Sequence, residues 1–161
     1  MDQELVAKPL KWNIGNIKRF MVVIGPISSV FDYATFALMW FVFQCSAFLD
    51  PAASAAQREG SARLFQTGWF VESLLTQTLI VHIIRTRRIP LFGSRASTHL
   101  TMTTLIIMAI GAWLPYSPFA AALGMVPLPA VYWAWIVLFL AAYSVLTHWA
   151  KTWFFSRYGG D

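Results

Sequence analysis

Two carboxylates, and an amide near mid-run, stand inside runs of residues that otherwise suit hydrocarbon. Asp32 is the single charge of residues 20–45, Glu72 is the single charge of residues 64–84, and Gln77 follows it one helical turn later. At membrane depth such groups can line an ion path, hydrogen-bond one helix to another, or sit wet at the headgroups. A carboxylate near the bilayer centre costs roughly 2.5–3.5 kcal/mol on insertion scales, so each needs protein or water beside it. On a helix, Glu72, Thr76, Ser73 and Gln77 fall in that order across about 140° and form a polar stripe, while Phe70, Leu74, Leu75 and Ile83 lie opposite. Glu72 is about two turns into its run, whereas Gln77 is nearer the middle and is the better candidate for a central site. Asp32 shares a helix face with Ser28. Pro26, in GPISS (25–29), leaves a backbone carbonyl near Met21 or Val22 without its donor. A carbonyl so exposed near a carboxylate can bind a cation; a bend with a satisfied Asp32 is the other reading.

Other chemistry-bearing types are thin. His82, His99 and His148 lie near the ends of apolar runs with no metal-ligand spacing among them, which points to interfacial placement. Cys45 is the sole cysteine, so no internal disulfide exists. There is no GxxxxGK[ST], no GxGxxG, no DKTGT and no hydrolase nucleophile context, so these residues carry no means of hydrolysing ATP by themselves.

The elements that must position Asp32, Glu72 and Gln77 follow from hydropathy. The chain has 161 residues, 58% hydrophobic and 12% charged, about half the charge of a soluble domain. Four apolar runs predict transmembrane helices at 20–45, 64–84, 97–114 and 128–150, each long enough to cross a 30 Å hydrocarbon core. The third is expected to stop near Leu114, because Pro115 and Pro118 follow. Between and around them lie segments 1–19, 46–63, 85–96, 115–127 and 151–161. The expected fold class is all-α: a polytopic membrane protein of four transmembrane helices in two antiparallel hairpins.

Charge sets the direction. Lys8, Lys11, Lys18, Arg19, Arg85, Arg87, Arg88, Arg95, Lys151 and Arg157 fall on one side of such a bundle. Arg58 and Arg63 fall on the other, offset by Asp50 and Glu59. Basic residues mark the cytoplasmic side. Both termini and the 85–96 loop are therefore expected in the cytoplasm, with 46–63 and 115–127 outside. The net charge of +5 reads as membrane orientation and not as a nucleic-acid surface. Trp133 and Trp135 enter the fourth run and Trp149 and Trp153 leave it, as interfacial belts do. Trp12 is expected at the inner interface, on a short amphipathic segment. The first 19 residues mix acids and bases and do not form a signal peptide.

Taken in order, GPISSVFD, FQTGWFVESLLTQTLIVH, IRTRRIP and SRYG closely resemble the carboxy-terminal part of the bacterial magnesium-transporting P-type ATPases, from about Lys8 to Gly159. The resemblance implies membrane helices seven to ten of a ten-helix pump in the bacterial inner membrane. This chain would then be a support-helix fragment, not catalytic alone. Its partners would be the lipid bilayer, helices one to six and the cytoplasmic domains, and no nucleic acid. It implies Mg²⁺ as the transported ion, moved into the cytoplasm, and ATP as the fuel, bound in domains that precede residue 1. Related calcium pumps take one acidic ligand from helix eight, and TQTLIVH aligns Gln77 with it, leaving Glu72 and Asp32 as weaker metal candidates. A neutral amide there suits an ion that keeps much of its water. The alternatives are a stand-alone four-helix small transporter coupled through Glu72 or Asp32, and a membrane scaffold that binds a partner through its basic loop.

Overall fold

The computed structural model describes residues 14–84 and 98–158. Trp12 and the arginines of the 85–96 loop lie outside the described residues. Four long helices carry the fold: α1 (Ile14–Ala37), α2 (Ala55–Ile84), α3 (Thr98–Trp113) and α4 (Ala130–Tyr158). No strand occurs among the described residues.

Local chemistry fixes the helix ends. α1 runs through Pro26 and passes into a five-residue π turn, Leu38–Val42. Gln44, in left-handed conformation at φ 51°, then turns the chain into a 3-10 segment, Cys45–Leu49. The helical path thus closes short of residue 45 and begins ahead of residue 20. A capping box starts α2: Ser54 N–H donates to Gln57 Oε1 (2.9 Å) and Gln57 N–H to Ser54 Oγ (3.3 Å). Asp50 Oδ1 orders the turn before it by accepting from Ala52 N–H at 2.9 Å. α3 stops at Trp113, where Leu114–Tyr116 tightens into a 3-10 turn around Pro115. α4 continues well past residue 150, to Tyr158, because no breaker intervenes before Gly159.

Among the described residues, three stretches are long and apolar enough to cross a membrane: Lys18–Val42, Thr98–Tyr116 and Ala130–Arg157. α2 has the length, at 30 residues or about 45 Å. Its composition is mixed, since Arg58, Glu59 and Arg63 occupy its first turns and Glu72 its middle.

α2 is the hub and packs on α1, α3 and α4, while α1 also packs on α4. Phe36 meets Phe65 and Trp69, and Asp32 meets Trp69 and Ser73, so α1 and α2 run in opposite directions. One apolar cluster joins Leu38, Met39, Cys45, Val71, Leu75, Leu128, Tyr132 and Ile136; a second joins Phe31, Ile83 and Tyr143. Two glycines allow the closest approaches. A Cβ on Gly68 would lie 2.7 Å from Met39 Sδ, and one on Gly111 would overlap the Leu74 side chain.

Candidate functional site

The polar stripe of α2 does not point one way. Glu72 and Thr76 turn into the bundle and are buried, Ser73 sits at the α1 seam, and Gln77 faces outward. The five-residue step from Glu72 to Gln77 subtends about 140°, enough to put the first against the neighbouring helices and the second on the open side of α2. The expected apolar back divides likewise: Leu75 and Ile83 are core, while Phe70 is exposed beside Gln77's face. One polar face against one apolar face is therefore not what this helix presents.

Glu72 is 1% exposed, and neither of its carboxylate oxygens has a hydrogen-bond partner. The neighbouring hydroxyls are committed elsewhere. Thr76 Oγ1 donates to the carbonyls of Glu72 (3.0 Å) and Ser73 (3.2 Å), and Tyr132 OH donates to the Gly68 carbonyl at 2.5 Å. Thr35, on α1, is fully buried, with its hydroxyl likewise unmatched.

Asp32 is at the edge of the same seam. Its Oδ1 accepts from Trp69 Nε1 at 3.0 Å and from Ser73 Oγ at 2.9 Å. These bonds tie α1 to α2 and supply the satisfied aspartate that sequence left as one of two readings. Ser28, one turn earlier, pairs with Tyr143 OH at 3.0 Å and ties α1 to α4. Asp32, Ser73 and Glu72 are thus brought together, whereas Gln77 stands apart from them. Among the described residues no group of three or more His, Cys, Asp and Glu side chains could hold a metal ion. Gln77 can offer one amide oxygen to whatever lies against the outer face of α2.

Two polar features escaped sequence reasoning. Lys151, read there only as an orientation marker, is buried and donates from Nζ to the Ile83 carbonyl at 2.8 Å. That places a cation on the carboxyl end of α2, where the helix dipole favours it. Its signal was the spacing Tyr143, Thr147, Lys151, a four-residue repeat on one face of α4. The other is the α2–α3 contact of His82 Nε2 with Thr104 Oγ1 at 2.6 Å, which gives that histidine a packing partner.

Among the described residues, an all-helical bundle with three membrane-capable stretches and ionisable side chains in its interior defines a multi-pass membrane protein. Residues 2–153 match the family described as cation transporting ATPase, C-terminus, and the chain belongs to that family. Over 159 residues it is 46% identical to Magnesium-transporting ATPase, P-type 1 of Salmonella typhimurium LT2. The same identity holds, over the same length, to the protein of that name from Escherichia coli K12. Those alignments take in 99% of this chain and 16% of each relative, so the chain spans about one-sixth of their length.

Proposed function

We propose that this chain is the support-helix portion of an ATP-driven P-type pump that brings Mg²⁺ into the cytoplasm across the bacterial inner membrane. The observation that carries the reading is the 46% identity to magnesium-transporting ATPases, sustained over 99% of the chain. In this reading α2 is a fourth membrane span. Its capped, charged first turns stand outside the bilayer, and 64–84, about 31 Å of helix, lie within it. The four spans form two antiparallel hairpins with both termini cytoplasmic, as the basic flanks favour. Gln77 faces the helices of the pump that lie beyond these residues and offers its amide oxygen to the passing ion. Mg²⁺ holds its water tightly, so one neutral oxygen touching the hydrated ion is a chemically sufficient role. Glu72 and Asp32 shape the bundle behind it. ATP binding and the aspartyl-phosphate step belong to the cytoplasmic domains of the same pump.

The test is a chimera. The matching 159 residues of the Salmonella typhimurium protein are replaced by this chain's, and Mg²⁺-limited growth and Mg²⁺ uptake are measured in cells lacking other importers. Uptake near that of the parent is expected. A chimera present in the membrane but without uptake overturns the proposal, and ion-coupled flux by the 161 residues alone in proteoliposomes would favour a stand-alone small transporter.

A further inference from the structure

Unmatched polar atoms in the interior are not scattered. Among the described residues, the buried side-chain atoms without a hydrogen-bond partner are Thr35 Oγ1, both carboxylate oxygens of Glu72, Thr147 Oγ1 and His148 Nδ1. All lie on α1, α2 and α4. Each such group, if left dry, bears an unreturned desolvation penalty, larger for a carboxylate than for a hydroxyl.

Their heights can be read from the contacts. Met39 packs on Gly68, and Asp32 bonds to Ser73, so Thr35, between them on α1, is level with Glu72. Ser28, about 10 Å further along α1, bonds to Tyr143 of α4. Thr147 is one turn beyond Tyr143 on the same face of α4, and Lys151 one turn beyond that, each step about 6 Å. The lysine side chain leans back toward its helix's amino end, where Nζ meets the Ile83 carbonyl. The sequence of polar groups is therefore Thr35 and Glu72, then Ser28 with Tyr143, then Thr147, then Lys151 with His148 beside it. Thr35, Tyr143 and Thr147 are fully buried, so bulk water does not reach them along the outer surface.

A buried water makes about three hydrogen bonds and collects where polar groups lack partners. Each such water needs two to four polar partners, and the unmatched groups of this seam, with the hydroxyl of Tyr143 and the ammonium of Lys151 between and beyond them, supply these. We propose that the seam between α1, α2 and α4 holds a file of internal water that runs from Lys151 at the inner end, past Thr147 and Tyr143, to Thr35 and Glu72. The file satisfies the four unmatched groups and gives the Glu72 carboxylate an aqueous connection to the inner end of the bundle. It needs no metal ligand, and it does not depend on the pump assignment.

Water-edited solid-state NMR on the 161-residue chain in lipid bilayers reads this directly. Magnetisation passed from water should reach Thr35, Glu72, Tyr143 and Thr147 several-fold faster than Val71 and Ile136, which are equally buried in the apolar cluster. In Thr147→Val the transfer to Thr35 and Glu72 should fall several-fold while Lys151 keeps its own, and Thr147→Ser should restore it. Transfer to Thr35 and Thr147 no faster than to Val71 and Ile136 overturns the proposal. So does a hydrated Thr147 with a dry Thr35 and Glu72. Because the wild-type chain supplies the decisive comparison, loss of folding in Thr147→Val leaves the test intact.

Discussion

At the scale of single residues, Glu72 and Gln77 show how a five-residue offset separates two kinds of work. Glu72 is a side chain the fold encloses; Gln77 is one the fold presents. If Gln77 contributes to the ion's path, Gln77→Ala in the chimeric pump should weaken Mg²⁺ activation of ATP hydrolysis about fivefold, the equivalent of one hydrogen bond of about 1 kcal/mol. Glu72→Gln, which keeps shape and removes charge, should change that activation less. Mg²⁺ titrations of ATPase activity on the two variants decide it, and equal or reversed effects count against the ranking. Asp32 belongs to a different experiment. Its bonds to Trp69 and Ser73 join α1 to α2, and interhelical bonds of this kind are worth about 1 kcal/mol or less. Ser73→Ala should therefore lower the resistance of the chain to unfolding in mixed detergent by about that much. Asp32→Ala should cost more, because two donors, the Trp69 indole and the Ser73 hydroxyl, lose their acceptor together.

Among the elements, α2 decides the architecture, and its packing depends on two glycines. Gly111 of α3 lies where any Cβ would enter the Leu74 side chain. Gly111→Ala should destabilise the bundle by about 1–3 kcal/mol, the usual cost of overpacking. Adding Leu74→Ala should recover part of that loss, since the clash is with one named side chain. Detergent unfolding of the two single variants and the double variant checks it, and additive losses would show that Leu74 is not the neighbour that matters. This is also the scale at which the sequence was most and least informative. Helix positions were legible because apolar runs of about 20 residues and proline stops are strong signals, as at Trp113 and Pro115. Which face of α2 looks inward was not legible. A helix with three helical neighbours has no single apolar side, so periodicity could not separate Glu72 from Gln77. The burial of Lys151 was hidden for a related reason: a lysine at the end of an apolar run reads as an interfacial charge, and only tertiary contact shows that it meets the end of α2.

For the whole molecule, the orientation of the bundle is the property from which the rest takes its meaning. The basic residues predict that the capped start of α2 is outside the cell and the 85–96 loop inside. The structure bears on the first site: Ser54 is exposed at the amino end of α2, ahead of its charged turns. Cys45 is the sole cysteine, so Cys45→Ala leaves a background free of native thiols. On that background Ser54→Cys should react in intact cells with a membrane-impermeant maleimide, and Ser94→Cys should react only after the membrane is opened. Ser54 is the Ncap of α2, so its replacement should cost about 1 kcal/mol, small enough for the bundle to persist in lipid. Labelling at both positions from outside would place 64–84 outside the bilayer and reduce the chain to fewer spans. The reverse pattern would turn the bundle over, put Lys151 and the inner end of α2 on the outer side, and remove the basis for a cytoplasmic terminus joined to ATP-driven domains.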